Sequence, residues 1–373
     1  MRILIVSAAS SIHTVRWVNG LVKRGHEVHL ASVHPAGRHS IDPRVRIHLA
    51  PHGGKAKYVV NAGWLRSVAA GVQPDIVNVH YATGYGLLAR FAHIDAPMLL
   101  SVWGSDVYDS PRANPLMRHM VRSNLISATR IASTSHCMAR VTRDLVNKPI
   151  SITPFGVDTE ILTPFDKRRD ANGGDGVVRI GTIKLSTPNM GSANSSVPSV
   201  GSMMNGLIPS FVSGAAAQTR IPSRSWLAVL SRTVRWSFAV PLIILRSEMP
   251  WVVWTSLPPY RLDSESFGVA IIEAGACGLP AVVSDADGPA EVVEDGVTGL
   301  IVPRGDVIAS ATALMQLVDD VELRLRMGGA GRDHVVEMYS WEHSSISWSR
   351  RIGTPSMMQF ASIVQVVTVG SGR

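Results

Sequence analysis

The sequence predicts an α/β protein of two domains, each built on a parallel sheet. Three observations carry that expectation. Arg2–Ser7 is a short apolar run, Ile12–Arg24 places Val15, Val18, Leu21 and Val22 at helical spacing, and Glu27–Ser32 is a second apolar run. Strand, helix and strand with so short a crossover make a parallel βαβ unit. A second unit of this type stands far downstream, where Val269–Ala276 reads as a helix and Pro280–Asp285 as a buried strand. Finally, 373 residues with 46% apolar content suffice for two cores of ordinary size.

In the first half, Gly25 caps the first helix, and Trp64–Ala70 reads as a helix before the strand Pro74–Val79. That strand ends in His80, Tyr81 and Gly84, polar groups at the carboxyl edge where open parallel sheets bind ligands. Met98–Val102 is the next strand and runs into Trp103-Gly104-Ser105-Asp106. Asn114–Ser127 is helical, with Arg118 and Arg122 four apart beside Arg112, Met117 and His119. Such a face suits anionic lipid, although a plain solvated face explains it as well. Arg130–Ser133 and Ile150–Thr153 extend the sheet, and the chain leaves the domain through Pro154-Phe155-Gly156-Val157-Asp158-Thr159. Residues 1–165 thus form the first domain, and 166–176 read as a charged linker. At the first βα turn, His13 and Arg16 are candidates for the cleft, a surface role serving equally well.

Val177–Lys184 opens a second domain expected to run through 343. From Ser186 the character changes: residues 186–260 are rich in Ser, Pro, Met and Trp, hold one acidic residue, Glu248, and begin with no sustained period of 3.6 or 2. Drift erodes a domain while keeping its apolar period, because burial is still selected. A shifted reading frame keeps length and discards period. Out-of-frame reading and divergent insertion both account for the segment, and either disrupts the second domain. After it, Val297–Val302 reads as a strand, and Ile308–Val318 and Val321–Gly328 as helices. Beyond His343 the tail 344–373 contains Gly353 and Pro355 and looks irregular.

The chemistry concentrates in residues 263–299. Ser264–Gly268 is a loop feeding the N-terminus of Val269–Ala276, and a residue at positive φ is needed at Gly278 to end that helix. A helix start exposes unpaired N–H groups and a positive dipole end, and Gly268 admits close approach of a ligand, so the turn reads as a phosphate seat. Glu265 stands at its mouth and Glu273 two turns along. Carboxylates repel phosphate but accept from hydroxyls in pairs, so the combination points to a sugar nucleotide. Taken alone, Glu273 reads as a solvated helix face.

Glu265-Ser266-Phe267-Gly268, Glu273, Gly278-Leu279-Pro280-Ala281-Val282-Val283 and Gly288-Pro289-Ala290-Glu291 together resemble the donor motif of retaining glycosyltransferases, those of family 4 with the two-Rossmann (GT-B) fold. The resemblance implies two Rossmann-like domains facing across a cleft, the donor in the second and the acceptor in the first. It implies that Glu265 contacts the transferred sugar and Glu273 the ribose, that the backbone at Phe267, Gly268 and Val269 holds the diphosphate, and that Ser266 is among the donor-binding residues. Lys184 stands at the first basic diphosphate position, and uncharged Asn189 at the second. Trp103 occupies the place of a His in many relatives, leaving Asp106 beside Glu265 as a candidate catalytic residue, with His13, His80 and Trp103 as acceptor or cleft residues. Ala8-Ala9-Ser10-Ser11 replaces a glycine pair common in the family. The long closing helix expected beyond His343 is incomplete.

Other classes fit less well. Ser7–Ser11 lacks Gly-x-Gly-x-x-Gly and no acidic residue ends the second strand at Ala31-Ser32, against a dehydrogenase. A net charge of +8 suits an anionic partner, but no aromatic-interleaved basic motif marks a nucleic-acid binder. Cys137 and Cys277, the two cysteines, argue against a disulfide framework or zinc site and for a reducing cytoplasm. Met1–Ala9 is too short for a signal peptide, and Phe238–Leu245 too short to span a bilayer. The expectation is a cytoplasmic glycosyltransferase, without metal or bound cofactor, acting on a glycan or lipid-linked acceptor in cell-surface glycan or glycolipid synthesis. Its donor is a nucleoside-diphosphate sugar, with retention, and it rests peripherally on the anionic inner membrane face. A non-catalytic or impaired relative that keeps part of the site is the alternative.

Overall fold

The computed structural model describes residues 1–164, 178–182, 234–237, 252–256 and 266–344. The chain divides into two compact units. The first contains Met1–Gly156 together with Phe267 and Tyr339 and their flanking residues; the second runs from Val157 and includes Gly268–Met338.

In the first unit seven strands form one parallel sheet: β1 (Arg2–Val6), β2 (Glu27–Ser32), β3 (Arg46–Leu49), β4 (Ile76–His80), β5 (Met98–Val102), β6 (Arg130–Ser133) and β7 (Ile150–Ile152), in the order β3-β2-β1-β4-β5-β6-β7. The order reverses at β1, so the gap between β1 and β4 is the switch point where such sheets take ligands. The sheet is buried on both faces, and the strand period of two divides its side chains between two cores. Ile3 and Ile5 pack with Trp17, Val18 and Leu21 of α1 (Ile12–Lys23). Leu4 and Val6 pack on the other side with Leu65 of α3 (Ala62–Val72), Leu88 of α4 (Gly84–Ala92) and Leu125 of α6 (Pro115–Ser127). The four-residue helices α2 (Lys57–Val60) and α5 (Ser110–Ala113) and the longer α7 (His136–Arg143) complete this unit.

Trp341 lies in a notch of α1. A Cβ built at Gly20 would fall 1.8 Å from Trp341 Nε1, and one at Gly156 would fall 2.6 Å from its ring. Trp17 meets the indole edge-on at 5.1 Å, and Arg24 Nη2 donates to Glu342 O at 2.9 Å. The first turn of the closing segment is therefore fastened to this unit. The irregular tail expected over 344–373 lies, after Ser344, outside the described residues.

The second unit holds a parallel sheet of β8 (Val178–Thr182), β9 (Val234–Ser237), β10 (Val252–Ser256), β11 (Ala281–Ser284) and β12 (Gly299–Val302), ordered β12-β11-β10-β8-β9. Of the segment 186–260, expected to be disrupted, the described residues are those of β9 and β10. Val252-Val253-Trp254-Thr255 is a β-branched and aromatic run, which suits a central strand. The rest of 186–260 lies outside the described residues.

Among the described residues four helices accompany this sheet: α8 (Val269–Ala276), α9 (Asp287–Val292), α10 (Val307–Asp319) and α11 (Val321–Tyr339). The helix runs on past the expected stop at Gly328, because Gly328 and Gly331 serve packing rather than termination. A Cβ at Gly328 would sit 2.1 Å from Gly278 O, and Gly331 lies beside Gly275 of α8. Arg332 of α11 donates to the carbonyls of Thr159, Leu162 and Ala276 at 2.6–2.8 Å, tying the incoming chain to the end of α8.

Candidate functional site

In the second unit α8 begins at Gly268, in the left-handed region at φ +85°, and no described side chain caps it. Ile271 N bonds Gly268 O at 2.9 Å, so the N–H groups ahead of it have no partner within the helix. A φ of this sign strains any residue with a Cβ, which explains the glycine. The helix ends as predicted. Gly278 at φ +72° donates to Gly275 O at 2.8 Å and Leu279 N to Ala274 O at 3.0 Å, the Schellman arrangement.

Glu273 is on this helix and buried, 9% exposed, which sets aside the solvated-face reading. Burial and the Glu273 charge push the thiol of Cys277 up to about 11, so this cysteine is not a thiolate near neutrality. Ser266 precedes the helix, so it shares no helix face with Glu273. Glu265 and Lys184 lie outside the described residues.

Ser266 and Phe267 belong to the first unit. Ser135, the N-cap of α7, donates from Oγ to Ser266 O at 2.6 Å. A Cβ at Gly104, where φ is +141°, would lie 3.0 Å from Ser266 Oγ, so the Trp103–Asp106 turn is shaped around this segment. Phe267 packs edge-on between Phe155 at 5.7 Å and Tyr339 at 5.6 Å.

The carboxyl edge of the first sheet gathers the predicted cleft residues. Trp103 lies 4.3 Å from the His80 ring and 5.8 Å from that of His13, while His13 stacks on Phe155 at 4.4 Å. Phe155 was legible only as part of the interdomain signature; a stacking partner 142 residues from His13 leaves no signal in sequence spacing.

Asp106, expected as a catalytic residue, stands in the turn that follows β5. Its side chain is fully buried, and its oxygens accept from Ala82 N at 2.7 Å, Gly104 N at 2.9 Å and Trp103 N at 3.1 Å. Burial pushes the carboxyl above its ordinary range, against the opposing pull of these donors. Through these bonds Asp106 ties the segment after β4 to the turn after β5.

His80 and His13 are neutral at pH 7. Burial, reinforced by the charge of His13, lowers the pKa of His80 to about 3; burial and Arg16 lower that of His13 to about 4. Both nitrogens of His80 and Nδ1 of His13 have no hydrogen-bond partner among the described residues. Each folded pKa lies below the unfolded value of 6.5. The associated stability is therefore complete above pH 6.5 and is withdrawn as pH falls toward 4, because only the unfolded chain then takes up the proton. We expect a loss approaching 1.4 kcal/mol per pH unit per ring across that window. The urea midpoint should fall between pH 7 and 5, and by less in His80→Gln; equal midpoints at the two pH values would refute this.

Known proteins place these features. The model "Glycosyl transferase 4-like" matches residues 2–135, and "Glycosyl transferases group 1" matches 243–334. A GDP-mannose-dependent monoacylated alpha-(1-6)-phosphatidylinositol monomannoside mannosyltransferase of Corynebacterium glutamicum is 42% identical over 81 residues, 22% of this chain and 21% of that protein. The chain thus spans about 21% of the length of this and similar curated relatives. The N-acetyl-alpha-D-glucosaminyl L-malate synthase of Bacillus anthracis is 22% identical across 86% of this chain and 87% of its own. Among solved structures, sucrose-phosphate synthase of Thermosynechococcus elongatus superposes with a TM-score of 0.68 at 16% identity, covering 97% of this chain and all of its own. Anabaena HepE in complex with UDP does so at 0.68 and 12%, covering 94% and 99%.

Proposed function

We propose that this chain, a family 4-like protein of the GT-B glycosyltransferase fold, transfers a sugar from a nucleoside-diphosphate sugar to an acceptor with retention of anomeric configuration. The observation that carries the reading is α8: a helix start left uncapped through a left-handed glycine, with a buried glutamate on the same helix, inside the segment matched by the group 1 model. The N–H groups at Phe267, Gly268 and Val269 face an anion without having to reorganise. They stabilise the charge that develops on the leaving diphosphate. Glu273 accepts from the ribose hydroxyls, Glu265 from the transferred sugar, and Lys184 neutralises the diphosphate. The donor binds the second unit and the acceptor the first, where neutral His13 and His80 offer polar edges beside Trp103.

The proposed donor chemistry needs no metal and no resident cofactor, and the proposed setting is cell-surface glycan or glycolipid synthesis at the cytoplasmic membrane face. Among the described residues no helix is long and apolar enough to cross a membrane. A peripheral contact would use α6, where Leu116 is 77% exposed beside exposed Arg112, Arg118 and Arg122.

The test is a panel of UDP-glucose, UDP-N-acetylglucosamine and GDP-mannose, titrated into the full chain with nucleotide release followed in the presence of EDTA. One sugar nucleotide should raise the melting temperature and release its nucleotide at a rate EDTA does not change. Binding without release would mark a non-catalytic relative, and no binding would end the reading.

A further inference from the structure

One peptide group of the proposed donor seat, the carbonyl of Ser266 with the N–H of Phe267, belongs to the first unit and is held there on several sides. Its carbonyl accepts from Ser135 Oγ at 2.6 Å, and Cys137 Sγ lies 3.5 Å from the same oxygen. Ser266 Oγ lies where a Cβ at Gly104 would approach to 3.0 Å, and the Phe267 ring is fixed between Phe155 and Tyr339. The direction of the Ser135 bond follows from what surrounds the hydroxyl. A serine hydroxyl has one proton to give and two lone pairs to accept with. Met138 N donates to Ser135 Oγ at 3.2 Å, capping α7, and the Cys137 thiol lies 3.1 Å away. A carbonyl can only accept, so the Ser135 proton points at Ser266 O. The thiol is left as a donor toward Ser135 Oγ or that carbonyl.

This bond bears on the Phe267 N–H in two ways. A trans peptide is planar, with C=O and N–H pointing in opposite directions, and among the described residues no peptide bond is cis. Pinning Ser266 O therefore fixes the direction of the Phe267 N–H, away from Ser135. Rotated by half a turn, the same group would present its carbonyl to the anion instead, and the two negative ends would repel. Donation to the carbonyl also draws charge toward its oxygen, which makes the N–H of the same group the stronger donor.

We propose that Ser135 is a positioning residue for sugar-nucleotide binding, its hydroxyl orienting and polarising the Ser266–Phe267 peptide so that the Phe267 N–H faces the donor diphosphate. The proposal rests on the donor seat read above. It adds a residue 131 positions away in the chain, outside the donor motif, on which that seat depends.

Calorimetric titration of the full chain with the sugar nucleotide that binds wild type, repeated on Ser135→Ala, Ser135→Thr and Asn114→Ala, tests this. Asn114 caps α6 through Met117 N at 2.8 Å, as Ser135 caps α7, so it serves as the control for a lost cap in the same unit. Both alanine variants should lower the urea midpoint. Only Ser135→Ala should also weaken sugar-nucleotide binding, by about 3- to 10-fold, the share of one neutral hydrogen bond. Ser135→Thr keeps the hydroxyl on an extended backbone, φ −149° and ψ 160°, that suits a β-branched residue, and should restore most of the affinity. Three results overturn the proposal while leaving the glycosyltransferase reading standing: unchanged affinity in Ser135→Ala, equal losses in Ser135→Ala and Asn114→Ala, or a threonine variant as weak as the alanine one. Absence of sugar-nucleotide binding by wild type ends that reading, and the proposal with it.

Discussion

Gly20→Ala is expected to destabilise the first unit by about 1–3 kcal/mol, although alanine is the better helix former by up to about 1 kcal/mol. Gly20 lies within α1, where propensity alone would select against glycine. The methyl would stand 1.8 Å from Trp341 Nε1 and 2.3 Å from Cε2, so the indole has to leave its notch. Its departure costs the edge contact with Trp17 and the packing over Gly156. In a Trp341→Ala background the clash is gone, and the same Gly20→Ala change should become neutral or stabilising. That inversion of sign is the signature of direct coupling, and a double-mutant cycle on urea midpoints reads it. Equal costs in both backgrounds would show that Trp341 does not occupy the notch.

The sequence was most legible where one period ran uninterrupted between clear stops. The strands at Glu27–Ser32, Met98–Val102 and Arg130–Ser133 and the helix at Val269–Ala276 were read with the bounds they have. β3 escaped because Arg46-Ile47-His48-Leu49 is an edge strand with Ile47 and Leu49 exposed, so no apolar run announces it. α4 escaped because Gly84 reads as part of the loop after β4, whereas it yields room to the Tyr58 ring. The same error shortened α11. In each case a glycine selected by a neighbour far along the chain imitates a local stop, and propensity reasoning sees only the local cause.

At the candidate site, the glycine turn and Glu273 were legible because helix geometry fixes them within one element. The grouping of His13, His80, Trp103 and Phe155 was only partly so, since the start of α1, two strand ends and the domain exit contribute to it. Asp106 shows the opposite limit. A carboxylate at a strand end suggests chemistry, but only coordinates reveal that three backbone N–H groups occupy it.

Glu273→Gln should weaken sugar-nucleotide binding by about 10- to 150-fold, the loss of one charge-assisted hydrogen-bond interaction worth roughly 1.5–3 kcal/mol. The substitution keeps shape and removes charge, so the fold should change little. A second readout reports on the carboxylate itself. Its negative charge disfavours the thiolate of Cys277 four residues on, adding to the effect of burial, while Arg332 opposes both. Neutralising Glu273 therefore lets the thiol pKa fall, and Cys277 should react faster with a disulfide reagent at a fixed alkaline pH. The two measurements divide the outcomes. Faster thiol chemistry with weaker donor binding assigns an ionised Glu273 to the donor. Faster thiol chemistry with unchanged calorimetric affinity leaves Glu273 charged but structural, and sinks its assignment to the ribose.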